Sequence, residues 1–495
     1  MTRDFDVLIV GAGISGIGAA YHLQERFPAR TYAILEGRER LGGTWDLFRY
    51  PGIRSDSDMY TLGFSFRPWT GDDAIADGAT ILEYLRDTAA AYGIDRHIRY
   101  RHTVEAARWS SAEARWTLDV RDGATGELVA YRARFLFAAA GYYDYAAGYT
   151  PELAGRARFR GPVVHPQHWD DGLDYAGKRV VVIGSGATAV TLVPALAQRG
   201  ARVTMLQRSP TYIMSRPARD RIANLLRRYL PAQVAYDATR WKNVLLATAF
   251  YQYARRFPER AKKLLIGGVR RAVGDTVDVR THFTPRYNPW DQRLCLVPDG
   301  DLFAALREGR VDIVTDEIET FTETGLRLRS GAELAADVIV TATGLRMKLL
   351  GGIAIDVDGK RVRGPDTMLY KGAMLSDVPN LAIAMGYTNA SWTLKSELTA
   401  VYVCRVLEHM ERGGFASVVP RTGAARTDEQ PLIDLQSGYV QRAADELPRQ
   451  GAAVPWRLHQ NYVLDRRLLS RAPVEDPALE FRPPPAAAHA ARAAS

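Results

Sequence analysis

Phe5-Asp-Val-Leu-Ile-Val10-Gly11-Ala-Gly13-Ile-Ser15-Gly16 is a near-continuous apolar run that breaks into a glycine turn. A run of this kind suits a parallel strand covered on both faces. A helical segment follows to about Arg26, and a second strand, Thr31 to Leu35, ends at Glu36. Strand, glycine turn, helix, strand and acid, in that order, read as a βαβ unit that holds a dinucleotide. Gly11 makes the tight turn, Gly13 lets backbone approach a pyrophosphate, and Gly16 lets the helix lie close on the strand. The helix N-terminus then faces the phosphates. Glu36 can accept hydrogen bonds from a ribose diol, which suits FAD, whose ribose carries no phosphate.

The pattern occurs a second time. Arg179-Val-Val-Val-Ile183 leads into Gly184-Ser185-Gly186-Ala187-Thr188-Ala189-Val190, with alanine as the third small residue. Here the next strand, Ala201 to Leu206, ends in Gln207-Arg208-Ser209, with a cation where the first unit has its acid. An arginine there accommodates a ribose 2′-phosphate, so this unit reads as the NADP(H) site. The fold class expected is α/β, with two Rossmann-like dinucleotide-binding domains, one for FAD and one for NADP. Phe135 to Gly141 and Asp337 to Gly344 read as the strands that return the chain to each nucleotide fold. Residues 210 to 285 are rich in Arg, Leu, Ala and aromatics at helical spacing, and predict a helical insertion in the NADP domain. The expected organisation is 1–145 for the first part of the FAD domain and 146–178 for a linker. The NADP domain with its insertion follows at 179–345, then the return to the FAD domain with a C-terminal segment at 346–481. The tail at 482–495, Arg482-Pro-Pro-Pro-Ala-Ala-Ala onward, lacks the apolar content to pack and is expected to be disordered.

Composition narrows the class. A chain of 495 residues suggests two or three domains, and 47% hydrophobic with 24% charged residues is globular usage. Cys295 and Cys404 are the only cysteines. Without a C-x-x-C pair, neither a dithiol redox centre nor a zinc cluster is signalled, and no metal site is expected. No leader and no apolar stretch near the roughly 20 residues of a membrane helix stand out, so the expectation is a cytoplasmic protein. The net charge of +9 is concentrated: residues 216 to 271 hold 14 Lys/Arg against three Asp/Glu. No nucleic-acid recognition motif accompanies that charge. It reads first as solvated faces of surface helices, with peripheral contact to an anionic membrane surface at the inner face of the cell, or to an anionic partner, as the alternative. The sequence leaves the oligomeric state open.

Between the two turns, residues 159 to 170 read Phe-Arg-Gly-Pro-Val-Val-His-Pro-Gln-His-Trp-Asp. Phe159, Gly161, His165, Trp169 and Asp170 fit the pattern F-x-G-x-x-x-H-x-x-x-W-[P/D], which marks the Baeyer–Villiger monooxygenases. Gly42 to Asp58, Tyr287-Asn-Pro-Trp-Asp-Gln-Arg293 and Gly386-Tyr-Thr-Asn-Ala-Ser-Trp392 extend the likeness. The chain resembles the class B flavoprotein monooxygenases over most of its length, and within the Baeyer–Villiger branch it is similar to the ethionamide-activating members. It departs from many of the branch at Phe48, where asparagine is common, and at Trp290-Asp-Gln-Arg293, where a Gly-x-Lys-Arg run is common.

The resemblance implies an NADPH- and O₂-dependent enzyme. Reduced flavin takes up O₂ as a C4a-peroxyflavin, which attacks a ketone and yields an ester or lactone, and sulfur in sulfides or thioamides is a second acceptor. By the same resemblance Arg293 is the cation that stabilises the peroxide, and Asp56 is the carboxylate that sets its position. Ser15, Gly43, Thr44, Trp45, Asp46 and Leu47 match positions about the flavin. Val104 matches a backbone contact to adenine, Arg54 and Ser55 match positions beside the nicotinamide, and Asp56 matches a cofactor contact as well. His165 has a linking role rather than an acid–base one. The rival within the class is an N- or S-oxygenating flavin monooxygenase without ketone activity. A pyridine-nucleotide disulfide reductase would need a redox cysteine pair.

Overall fold

A computed structural model describes residues 3–485. Strand β1 (Arg3–Val10) runs into helix α1 (Ile14–Arg26), and β2 (Tyr32–Leu35) returns parallel to β1, with Leu35 opposite Val10. On the other side of β1 lies β3 (Leu128–Ala138), also parallel, with Ala138 opposite Val10. Val7 to Val10 are buried because layers cover the sheet on both faces, which is why the run carries no polar alternation. The first half of β3 closes an antiparallel meander with His102–Ser110 and Arg115–Asp122, and its second half pairs with Leu381–Ile383. The sheet has 11 strands, and residues after 350 supply several of them.

The second sheet repeats the plan. β4 (Arg179–Ile183) leads into α2 (Ala187–Gln198) and β5 (Arg202–Gln207), with Ile183 opposite Leu206. β6 (Val338–Thr341) flanks β4, and Val311–Thr315 flanks β5, all in parallel. The segment 146–178, expected as a linker, contributes the edge strand Val163–Val164 beside β6, and Phe159 packs in the adjoining core.

The insertion expected at about 210–285 opens with a strand rather than a helix. Ile213–Arg216 pairs in parallel with Cys295–Pro298, because Tyr212 and Ile213 are buried and suit a pleated surface. Its long helices are α3 (Arg221–Tyr229), α4 (Ala232–Arg256) and α5 (Pro258–Val273). Asp220 caps α3 by accepting from the Ile222 and Ala223 amides, and Pro258 ends α4 and opens α5. Among the described residues no helix is long and apolar enough to cross a membrane.

The expected disorder from residue 482 begins too early. Arg482 closes a strand, Leu479–Arg482, paired with Ser417–Pro420, since Leu479 and Phe481 have a core to enter. Residues 486–495, the remainder of that tail, lie outside the described residues.

One buried ion pair holds the insertion against the first fold. Arg240 of α4 donates to the Tyr60 and Gly63 carbonyls at 2.9 and 2.7 Å and to Glu397 Oε2 at 2.9 Å. Glu397 sits on α6 (Trp392–Gly413) and also accepts from the Ser65 amide and hydroxyl. Burial raises the Glu397 pKa, yet His22, Arg240 and Ser65 together hold it below its usual value. Removing one member of such a pair strands the other, at a cost of about 3–5 kcal/mol. Glu397→Ala is therefore expected to lower the thermal midpoint sharply and to release bound flavin at a lower temperature. An unchanged midpoint, read by flavin fluorescence, would show the pair to be dispensable.

Candidate functional site

Both glycine turns are fixed by contact with a returning strand. Gly11 has φ +100°, and a Cβ there would stand 2.8 Å from the Ala139 carbonyl oxygen that follows β3. Gly184 has φ +140°, and its Cβ would stand 2.3 Å from the Ala342 oxygen that follows β6. A Cβ at Gly16 would lie 1.9 Å from the Gly11 oxygen, so α1 rests directly on its own turn. Gly13 and Gly186 cap the two helices without side-chain bonds, which leaves first-turn amides open to an anion.

A cavity of about 1060 Å³ runs from the first turn to the N-terminus of α2. Gly11, Gly13, Ser15, Glu36, Gly43, Thr44, Trp45 and Val104 stand on its wall at the first turn. Gly13 and Gly43 face each other there: a Cβ on Gly13 would meet only Gly43, at 3.6 Å. Glu36 is buried, with Oε2 accepting from the Ala12 amide at 2.7 Å and Oε1 from the Arg38 amide at 2.9 Å. Burial raises its pKa, and those two amides pull it back. Free lone pairs remain for a diol. This donor set, a glycine cleft, open helix amides and an acid beyond β2, fits the adenosine diphosphate half of FAD.

Arg54, Ser55, Asp56, Ala187 and Thr188 line the cavity farther along. Arg54 forms a two-point pair with Asp301, and the Ser55 hydroxyl bonds to Ser57. Arg293 is brought beside Asp56, with Nη1 3.8 Å from Oδ2. Its Nη2 reaches the Tyr142 hydroxyl at 3.4 Å, and its Nε is buried with no protein partner. The oxygen of Tyr142, with Tyr439, Tyr143 and Asp56 adding, outweighs burial and holds the guanidinium pKa further above its ordinary range. The cavity wall therefore carries a permanent positive charge.

Other sequence candidates lie off this wall. The buried Asp46 carboxylate faces Arg38, Arg40 and Arg49 at 2.8, 2.9 and 3.4 Å, and so orders a cluster of arginines behind the turn. Leu47 packs on the second core. Gly16, Ala189 and Val190 are buried packing positions, because the third small residue exists to seat a helix. The Gln207 amide is held by the His282 carbonyl and the Thr315 hydroxyl. Gly184, Ser185 and Gly186 form the second turn itself, with Ser185 bonded to the Ser209 carbonyl. Arg208 is exposed and lies in no ion pair among the described residues. No residue of the marker segment reaches the cavity. Phe159 and Trp169 pack in cores, and a Cβ at Gly161 would strike the Asp337 oxygen at 2.4 Å. His165 accepts from the Gln167 amide and reaches the Gly344 carbonyl at 3.1 Å, and burial lowers its pKa. That segment is a clasp on the strands between the two folds.

The cavity also gathers residues the sequence reading passed over. Arg38 sits by the first turn with Tyr145, whose phenol bonds Thr44 and is pushed up to about 12 by burial. Arg216, Tyr142 and Asn243 come from segments far apart in the chain. Both departures from the branch pattern lie here too. Phe48 is buried in the second core and borders the cavity, and Trp290, at φ +73°, stacks edge-on against Tyr251 of α4.

The family model for pyridine nucleotide-disulphide oxidoreductases matches residues 8–238. A disulfide reductase's cysteine pair has no counterpart, because Cys295 and Cys404 are free and buried, each thiol pushed up to about 12 by burial. The chain is 58% identical to the FAD-containing monooxygenase EthA of Mycobacterium tuberculosis, over 98% of this chain and 99% of that one. Among solved structures, oxidized steroid monooxygenase bound to NADP matches with TM-score 0.73 at 23% identity, over 97% of this chain and 100% of that one. Cyclohexanone monooxygenase from Rhodococcus sp. Phi1, bound to NADP+, matches with TM-score 0.73 at 21% identity, over 98% and 100%. Fold and cavity define a flavoprotein built on two nucleotide folds. The chain belongs to the family of FAD-containing monooxygenases.

Proposed function

We propose that this flavoprotein is an NADPH-dependent Baeyer–Villiger monooxygenase that also oxygenates sulfur in sulfides or thioamides. Ketone, O₂, NADPH and a proton become ester or lactone, NADP+ and water. The observation that carries the reading is Arg293, a cation on the cavity wall 3.8 Å from Asp56. FAD, reduced by NADPH, supplies the activation of O₂. The chain's residues do the rest. The amides that open α1 hold the pyrophosphate, and Glu36 takes the ribose diol. Arg208 takes the 2′-phosphate of NADPH, and Arg54, fixed by Asp301, borders the nicotinamide. Arg293 stabilises negative charge on the oxygen to be transferred, and Asp56 keeps its guanidinium turned toward that oxygen. Phe48 and Trp290 keep water from the reacting atoms. Transfer to sulfur uses the same cavity and requires no carbon migration.

The basic insertion also has a face suited to an anionic lipid surface, and we include that contact in the proposal. Ile222, Leu225 and Tyr229, at i, i+3 and i+7 of α3, are 56%, 58% and 71% exposed. The Phe257 ring, 42% exposed, is flanked by the Arg256 and Arg260 guanidiniums, and cations beside exposed apolar groups are what an anionic interface selects. The purified protein is expected to sediment with anionic vesicles, to ignore neutral ones, and to be released by salt. Equal behaviour toward both would return the charge to solvated helix faces.

Coenzyme binding is tested at Gly186, where a Cβ would meet nothing within 4 Å and φ is negative. Gly186→Val should therefore fold and carry FAD, while its side chain intrudes where the pyrophosphate lies, and NADPH reduction of the flavin should be lost. Arg208→Ala should weaken NADPH use about 10- to 100-fold and leave NADH nearly unchanged, as a charge-assisted contact is worth about 1.5–3 kcal/mol. Equal losses for the two coenzymes in steady-state kinetics would refute the assignment.

Arg293→Ala separates the half-reactions. Its charge acts only after oxygen is activated, so the variant should purify yellow and still be reduced by NADPH. Loss of one preorganised contact costs about 10²–10³ in rate. Ester should become hard to detect, and the oxygen consumed should appear as hydrogen peroxide. Ester at the wild-type level would make Arg293 a structural ion-pair residue.

A further inference from the structure

We infer that Tyr142 is a positioning residue for the reaction: its phenol oxygen fixes where the Arg293 guanidinium stands on the cavity wall, and so how much activated oxygen reaches the substrate. The inference rests on the monooxygenase reading above and adds a residue to the same site.

Asp56 alone is a loose hold on Arg293. Its side chain is 52% exposed and its Oδ2 lies 3.8 Å from Nη1. Ion pairs open to solvent contribute little to keeping one geometry. Tyr142 is 8% exposed, and its hydroxyl accepts from Nη2 at 3.4 Å. At that length the bond is modest, and what Tyr142 adds is rigidity. Its carbonyl accepts from the Lys348 amide at 2.9 Å, Tyr143 bridges Met347, and the Asp144 amide donates to the Arg346 carbonyl at 2.9 Å. Three consecutive residues are thus laddered to residues 346–348. The Tyr142 ring packs on Trp392, with centroids 4.9 Å apart, and the Trp392 indole donates to Ser15 Oγ at 2.7 Å. A line of contacts therefore runs from the first glycine turn through Trp392 and Tyr142 to the cation.

The hydroxyl itself is also oriented. It lies 3.3 Å from the Tyr143 hydroxyl. With its oxygen accepting from Arg293, its proton can go to Tyr143, which keeps the lone pair turned to the guanidinium. A phenol holds that guanidinium by a dipole and leaves its charge uncompensated, whereas a buried carboxylate in the same place would cancel much of it. The charge is what the transferred oxygen needs. As a core aromatic alone, Tyr142 would be replaceable by phenylalanine, because the ring makes all the packing contacts.

Tyr142→Phe tests this directly, since it keeps the ring on Trp392 and removes the acceptor. The substrate is a ketone or sulfide that the wild-type enzyme oxygenates, and oxygenated product and hydrogen peroxide are measured in one sample. The ratio of product to peroxide should fall about 2- to 10-fold, the worth of one hydrogen bond. The KM values for substrate and NADPH should hold, so that the loss lies in kcat for oxygenated product. Arg293→Lys replaces the planar fork by a single ammonium. In that background Tyr142→Phe should cost less than about 2-fold further, because Tyr142 acts only through the guanidinium. A wild-type ratio in Tyr142→Phe would overturn the inference. Equal losses in the two backgrounds would overturn it too, as that is the mark of a general loosening. If Tyr142→Phe does not retain flavin, Tyr143→Phe, which frees the Tyr142 hydroxyl to turn away, should lower the same ratio, and no change there would overturn the inference. A wild-type enzyme that oxygenates neither ketones nor sulfides would count against the monooxygenase reading, whereas an unchanged ratio beside an active wild type counts against Tyr142 alone.

Discussion

Everything in this molecule is organised around a backbone-on-backbone approach made twice. In each nucleotide fold the first glycine of the turn lies against the carbonyl that ends the returning strand, at a distance no side chain tolerates. That contact puts strand, turn and returning strand in one order, β3 beside β1 and β6 beside β4, and it aims two helix N-termini at two phosphate sites. The copies are not identical. Gly16 seats α1 directly on Gly11, whereas a buried Ala189 occupies the matching place in α2.

The cavity belongs to neither fold alone. Phe48 and Tyr50, nested in the first unit's sequence, are buried in the second sheet's core. Gly52 approaches α2 so closely that a Cβ would come within 2.7 Å of Ala195 and 2.9 Å of the Thr191 oxygen. In the opposite direction the insertion of the second fold sends Arg240 into the first. The two units are thus cross-linked by exchanged segments, and the wall that carries Arg293, Asp56 and Asn243 exists only while both exchanges hold.

Legibility in the sequence followed the range of the interaction. The two turns could be read because a tight bend, a close approach and a packed helix are specified within six consecutive residues. Glu36 and Arg208 were singled out because they sit at a fixed distance from those turns, and Glu36 indeed stands on the cavity wall. The Arg293–Asp56 approach, across more than two hundred residues, was reachable only through family resemblance, as neither residue's neighbours announce the other. Asn243 was invisible for a related reason: on a helix with apolar neighbours it looks like core, and only the fold reveals that it borders the cavity. The four arginines that converge on Asp46, Arg38, Arg40, Arg49 and Arg86, were likewise not announced by its position. Arg482 misled because the three prolines after it mask a strand that ends on it.

The two cysteines bear on durability. A monooxygenase handles activated oxygen, and thiol oxidation proceeds through the thiolate. Cys295 stands two residues from Arg293, yet burial keeps its sulfur protonated far above neutral pH, and Cys404 is held in the same way inside α6. An oxidant escaping the cavity therefore meets no ready nucleophile in the protein's own thiols, and alkylating reagents that require a thiolate should find this enzyme inert until it unfolds.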